Sequence, residues 1–303
     1  MLDFKPFALA QKAEYDAYLA LSGERGCEYS FANLYLWGRQ QYAKVGDCLV
    51  LFSQFDRKSV YPFPIGAGDI RPALEAVIAD AKERGLQCRL TGLTAADCAL
   101  LERIYPGRVR CHPDRDSFDY IYAIADLAEL KGRKFQKKRN HLNHFRTVCP
   151  DHTLEPLSEG NLQEAAALLE TWYEKQKQLH PLQDYHMEQI AARKALNTLA
   201  PLGMEGLLLK NQGQAIALTI GSRLSDDTFD IHFEKAIDGE DGAYAAINWA
   251  FARYLREKYP ALRWLNREDD MGLEGLRKAK LTYQPERMLE KSWACLLEDG
   301  YDY

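Results

Sequence analysis

The hydrophobic pattern is most regular in the second half of the chain. Leu162, Ala165, Ala166, Leu169 and Tyr173 recur at helical spacing, and Ser158 stands where it can cap that helix. A second helical pattern covers residues 187–199. Residues 205–210 and 215–223 read as strands joined by a turn at Asn211-Gln212-Gly213, and a third strand is predicted over 228–235. A Gly-containing loop at 238–242 leads into a long amphipathic helix over 243–258, stopped by Pro260. A short strand at 262–266, a short helix at 273–280 and a last strand at 288–297 complete the pattern.

The first half carries a degraded version of this order. Helices are predicted at 11–21 and 29–37, strands at 42–54 and 60–64, and a helix at 71–84. A strand at 87–91, a helix at 95–104 and a strand at 119–124 follow. The order in the second half, strand, two helices, three antiparallel strands, helix, strand, helix, strand, resembles that of GNAT acyltransferases. The expected fold is therefore α/β (α+β), a tandem GNAT-like arrangement. It divides into an N-terminal lobe at 1–130, a basic helical connector at 131–150 and a C-terminal lobe at 151–303. No residue-level repeat accompanies the duplication.

Composition narrows the class. A chain of 303 residues exceeds the usual size of one domain. No stretch is apolar for long enough to cross a bilayer, and the first residues lack the basic and apolar regions of a secretory signal, so a cytoplasmic location is expected, the membrane periphery included. The seven cysteines are scattered without paired spacing, which fits reduced thiols. A formal charge of −5 gives no global attraction to polyanions, so any such attraction must be local.

Three constellations can carry chemistry. The run KGRKFQKKRNHLNHFR at 131–146 has seven bases, among them Lys137, Lys138 and Arg139, no acid, and Asn140 and Asn143 on a helical face beside them. It reads as an anion site for RNA, lipid or nucleotide phosphates, or as a solvated linker helix. In FDIHFE at 229–234, strict alternation sends Phe229, Ile231 and Phe233 to one face and Asp230, His232 and Glu234 to the other, as a source of a general base or as an ordinary wet face. The third stretch begins at Asn266, at the carboxyl end of a strand, where ligands of open α/β sheets collect. It presents Arg267, Glu268, Asp269 and Asp270, then Arg277 and Lys280 on one helical face. Its blander reading is charge placement at helix ends. No metal-ligand spacing, P-loop or nucleophile elbow is present, so no metal is expected.

FDYIYAIADLAELKGRKFQKKRNHLNHF (118–145), DTFDIHFEKA (227–236), GAYAAINWAF (242–251), NREDDMGLEGLRKAKLTYQPERMLEK (266–291) and SFANLYLWG (30–38) together resemble the DUF2156 family. That family is similar to the C-terminal catalytic domain of phosphatidylglycerol lysyltransferases and, more distantly, to Fem-type peptidyltransferases. The resemblance implies transfer of an amino acid from aminoacyl-tRNA to a lipid or small-molecule acceptor. It carries the acidic-basic stretch onto Arg267, Glu268 and Asp269 and a downstream lysine onto Lys280. On this reading Glu268 or Asp269 withdraws a proton, Arg267 or Lys280 stabilises negative charge, and the basic run grips the tRNA acceptor end, with a phospholipid head group as the other candidate partner. His232, Glu234 and Arg277 complete the expected site. The membrane-spanning half of the lysyltransferases is missing from the sequence. A CoA-dependent N-acyltransferase, binding pyrophosphate at 238–243, and a non-catalytic binding protein on the same scaffold are the alternatives; Glu240 and Asp241 oppose an anion in that loop.

Overall fold

The computed structural model describes residues 1–55, 58–237 and 242–296. Its first part runs β1 (Lys5–Pro6), α1 (Lys12–Ala20), α2 (Phe31–Trp37), β2 (Gln40–Val45), β3 (Cys48–Phe55), β4 (Lys58–Pro62), β5 (Ile65–Gly66), α3 (Arg71–Glu83), β6 (Arg89–Leu93), α4 (Ala95–Ile104) and β7 (Val109–Pro113). It continues with β8 (Asp119–Ala123), α5 (Ile124–Glu129), α6 (Gln136–Val148), β9 (Thr153–Pro156), α7 (Leu162–Leu179), α8 (His186–Asn197), α9 (Leu199–Leu202), β10 (Glu205–Asn211), β11 (Gln214–Arg223) and β12 (Thr228–Ala236). The last elements are α10 (Ala243–Lys258), β13 (Trp264–Asn266), α11 (Glu274–Leu281), β14 (Arg287–Leu289) and β15 (Ser292–Leu296).

The chain forms two compact units. Unit 1 holds Met1–Asp119, Asp269–Leu273 and the chain from Leu289 onward; unit 2 holds Tyr120–Glu268 and Glu274–Met288. These limits differ from divisions at 130 and 150. The basic segment is helix α6 within unit 2, because Phe135, Leu142 and Phe145 are buried in the same core as Ile247 and Phe251 of α10.

Each unit has one sheet, and the two sheets share a strand order. In unit 1 it is β1-β2-β3-β4-β6-β15-β7, with β5 added beside β3; in unit 2 it is β9-β10-β11-β12-β13-β8-β14, reading β9 as the counterpart of β1. In both, four antiparallel strands are followed by one parallel pair, β4 with β6 and β12 with β13. The next strand, β15 or β8, is antiparallel to its neighbour and comes from a distant part of the chain. This common order is the tandem GNAT arrangement.

Several local expectations shift. The long strand at 42–54 is two strands, β2 and β3, joined by a two-residue turn with Gly46 at φ 56°, as such hairpins require. Helix α7 begins after Asn161, not at a Ser158 cap; Asn161 Oδ1 accepts from the Ser158 amide at 2.9 Å. In unit 2, α10 buries Ala243, Ala246, Ile247, Ala250, Phe251 and Leu255, three and four apart, with α5 and α6 packed against it.

Unit 1 encloses a buried ionic cluster. The Lys291 ammonium, 4% exposed, donates to Asp119 Oδ1 at 2.8 Å and to Glu28 Oε2 at 2.7 Å, and Asp119 also accepts from the Cys27 amide at 2.8 Å. Burial opposes the charge of Lys291, but Asp119, Cys27 and Glu28 outweigh it and hold its pKa well above the ordinary value. Lys291→Met removes a buried cation from beside the Asp119 and Glu28 carboxylates, so unfolding free energy should fall by about 3–5 kcal/mol in urea titrations. A loss below about 1 kcal/mol would mean that the cluster contributes little to holding β15 in place.

Candidate functional site

The site begins with a register change. Along β12, Gly221 of β11 is opposite Ile231 but Ile220 is opposite Phe233, so His232 is an extra residue, a β-bulge. The bulge reverses the alternation beyond it. Phe229 and Ile231 face α10 as expected, while Glu234, expected with Asp230 and His232, turns to the α10 side and Phe233 turns away. Gly221 permits this: a Cβ there would lie 2.2 Å from the Asp230 carbonyl oxygen. The His232 ring is fully buried, so the partial exposure of this residue belongs to its main chain.

The neighbouring strand leaves at the same level. Parallel pairing of β12 with β13 ends at Asp230↔Asn266, and β13 continues along β8 through Arg267 N to Tyr120 O at 3.0 Å and Tyr120 N to Glu268 O at 3.2 Å. Glu268 has φ 57°, an uncommon conformation for a residue with a Cβ. Asn266 Oδ1 accepts from its amide at 2.7 Å, and the Lys280 ammonium donates to the carbonyls of Arg267 and Glu268. Lys280, expected to stabilise charge on a substrate, is buried and supports the main chain of the site.

Two polar groups occupy opposite faces of the sheet where the strands part. On the α10 side, Arg267 Nη2 donates to Glu234 Oε1 at 2.8 Å, and Asn248 Nδ2 donates to Glu234 Oε2 at 3.1 Å. The Arg267 guanidinium lies 4.6 Å from the Tyr283 ring and 5.6 Å from that of Tyr122. Lys138 of α6 enters here, its ammonium 3.4 Å from the Tyr283 ring centroid. Burial, then the Arg267 charge, lower its pKa to about 8, against the opposite pull of Glu234. Around Glu234 three buried atoms lack a hydrogen-bond partner among the described residues: Arg267 Nη1, Asn248 Oδ1 and Oγ1 of Thr219, the cross-strand neighbour of Glu234. On the other face, His232 Nδ1 is 3.1 Å from Glu268 Oε1 and 3.6 Å from Asp230 Oδ2, and its Nε2 is 2.8 Å from Ser222 Oγ.

The remaining expected residues are spread out. Asp269 is in unit 1, where its Oδ1 accepts from the Met271 amide at 3.1 Å and a carboxylate oxygen lies within 4.8 Å of donor atoms of Cys27 and Asp119. Arg277 is half-buried on α11 and Lys137 is exposed on α6. Arg139 donates to the carbonyls of Leu130 and Gly132, so its guanidinium closes the start of α6 instead of facing Lys138. Asn140 accepts from Gln136 at 3.0 Å, and Asn143 lines a separate cavity. Residues 238–241 of the proposed pyrophosphate loop, Glu240 and Asp241 included, lie outside the described residues, as does Leu297. Sequence reasoning missed Asn248, Thr219, Tyr122 and Tyr283. Asn248 alone left a signal, as an amide among the apolar residues of α10.

The lowered pKa of Lys138 gives a pH prediction with a definite sign. Its folded value of about 8 is below the unfolded value of roughly 10.4, so the unfolded chain binds more protons between these pH values. This residue therefore adds stability as pH rises from 8 to 10.4. Urea unfolding of the parent and of Lys138→Met at pH 7.5, 9 and 10.5 should show the parent gaining on the variant; parallel curves would mean that Lys138 is solvated like a surface lysine.

Known proteins share this chain's architecture. A conserved protein of unknown function from Bacteroides thetaiotaomicron is 38% identical, with a TM-score of 0.92 over 98% of this chain and all of that one. The L-PGS structure from Bacillus licheniformis, 15% identical, superposes with a TM-score of 0.66 over 96% of this chain and 93% of that one, which shows a common fold. An uncharacterized protein of Mycoplasmoides gallisepticum is 25% identical over 179 residues, 58% of this chain and 55% of that protein, so the chain matches about half the length of this curated relative. The family model described as phosphatidylglycerol lysyltransferase, C-terminal, matches residues 19–295. With nearly the whole chain matched, the protein belongs to the family of phosphatidylglycerol lysyltransferase C-terminal domains.

Proposed function

We propose that the protein is an aminoacyltransferase that moves an amino acid from aminoacyl-tRNA to a lipid or small-molecule acceptor; the family name, phosphatidylglycerol lysyltransferase, supports transfer of an aminoacyl group. The observation that carries this reading is the set of buried polar atoms around Glu234. An α-ammonium group suits the Glu234 carboxylate, Asn248 Oδ1 and Thr219 Oγ1, and a carbonyl oxygen suits Arg267 Nη1. A simple acyl group would leave the acceptors unmatched, at about 1–3 kcal/mol each.

In the proposed reaction the acceptor hydroxyl or amine attacks the ester carbonyl of the donor and a new C–O or C–N bond forms. Neutral Lys138, accessible near pH 8, takes the acceptor proton. Arg267 stabilises the tetrahedral oxyanion, and the bond to the tRNA ribose oxygen then breaks as Lys138 returns the proton to that oxygen. Glu268 acts as a positioning residue through His232, and Lys280 holds the carbonyls behind Arg267. This moves the proposed base from Glu268 or Asp269 to Lys138.

The start of α10 is where a CoA donor would have to bind, and α6 closes one side of it. A pyrophosphate needs the free amides of a helix N-terminus. Here Gly242, the residue before α10, packs on α6 so closely that a Cβ would be 2.4 Å from the His141 carbonyl oxygen.

The test is incubation of the pure protein with charged tRNAs or with radiolabelled acetyl-CoA, each with phosphatidylglycerol vesicles and amine acceptors. Label should leave the aminoacyl-tRNA and stay on acetyl-CoA. Lys138→Met should lower turnover by roughly 10²-fold or more without lowering the melting temperature near pH 7.5, while Glu268→Gln should retain more activity than Lys138→Met. Loss of label from acetyl-CoA alone would favour the CoA reading, and no loss from either would leave a binding protein.

A further inference from the structure

Helix α6 has a second cationic face, and it does not point at Lys138. A cavity of about 720 Å³ in unit 2 lies between α6, the end of α5 and the outer side of α10. Trp249 of α10 lines it, half-buried, with the guanidinium of Arg146 at 4.7 Å from its ring and that of Arg253 at 4.8 Å. Cation–π contact holds both forks without neutralising them. Neither guanidinium has a carboxylate partner among the described residues, and both residues are exposed. The other bases differ. Lys131 at 2.6 Å and Arg256 at 2.7 Å share Glu129, whose pKa they lower to about 2.

We propose that this cavity binds the phosphate backbone of RNA, with Arg146 and Arg253 as the two phosphate forks and Trp249 as their fixed platform. The proposal rests on the aminoacyl-tRNA reading and adds a surface that the basic motif alone does not identify. Three features favour RNA. Planar guanidiniums match phosphate oxygens two at a time. The lining carries five bases against two acids in a protein of net charge −5, so the attraction is concentrated in this cavity. The lining is concave and contains none of the large exposed apolar side chains that a bilayer-inserting face would offer, whereas a ridge of phosphates can enter it.

The probe is uncharged mixed tRNA, measured by filter binding between 50 and 250 mM salt with the full chain. Arg146→Gln with Arg253→Gln should weaken binding at least tenfold at 100 mM salt. The slope of log affinity against log salt should become shallower by roughly 1.8, two duplex phosphate contacts at about 0.9 each. Arg146→Lys with Arg253→Lys keeps the charge, so it should restore the slope and only part of the affinity. Lys278→Gln, an exposed charge change on α11, should do neither. Melting temperatures of all variants identify any loss that is due to unfolding; if the Gln pair unfolds, Arg253→Gln alone is used and a slope change of about 0.9 is required. Unchanged tRNA affinity and slope overturn the proposal. So does retained tRNA binding with lost binding to phosphatidylglycerol vesicles, which would assign the cavity to a lipid head group. Uncharged tRNA makes the result independent of whether transfer occurs, and the donor assay remains decisive for transfer if this surface fails.

Discussion

An extra residue in β12 determines where the chemistry of this molecule can be. With His232 inserted opposite Gly221, the strand after the bulge is rotated by one side chain, and Glu234 faces α10 instead of sharing a face with Asp230 and His232. Without the bulge, Arg267 would face no carboxylate, and the amide of Asn248 would be buried against apolar strand residues. The departure of β13 at Asn266 does the rest, because it opens the sheet beside the rotated segment. Backbone pairing is given up at this point, and side chains and the Lys280 ammonium replace it. Local irregularity of this kind persists only where surrounding contacts over-determine it.

Packing against α10 gives one basic helix two faces of different character. Helix α6 lies against α10, so its residues divide between the interior and the outer cavity. Lys138 points inward to Tyr283 and loses hydration, which lowers its pKa; Arg146, two turns later, rests on Trp249 in contact with water. A lysine shifts readily on burial while an arginine stays charged, and the two faces use the residue type that suits each. Arg139 belongs to neither face, since its guanidinium is engaged by the carbonyls of Leu130 and Gly132.

Much of the architecture was legible because periodicity reports burial directly. The helix read over 243–258 is α10, and the three strands before it are β10, β11 and β12 within a residue or so. The bulge was not legible, because FDIHFE alternates without a break and only the pairing with β11 shows the slip; this is why Glu234 was assigned to the wrong face. Nor could the sequence show that Lys280 supports carbonyls, that Asp269 belongs with Cys27 and Asp119, or that Thr219 and Tyr283 approach Glu234. These depend on long-range contacts between residues that are unremarkable in their own segments. The basic run was visible as a charge pattern, but its partner Trp249 and the Arg253 beside it are on another helix. The duplication is in the same class: the two sheets share a strand order with no repeat in the residues to announce it.

The central claim is that the bulge assembles a pocket for an α-aminoacyl group around Glu234, and binding measures this most directly, without any need to know the acceptor. Isothermal titration of the parent protein with amino-acid amides, lysinamide first, and with their Nα-acetyl derivatives isolates the α-ammonium group. The account predicts binding of at least one free amide, its loss on Nα-acetylation, and its loss in Glu234→Gln, measured at a temperature where circular dichroism shows that variant folded, since removing this charge from beside Arg267 also costs stability. Equal binding of free and acetylated amides, or full binding by Glu234→Gln, would contradict it.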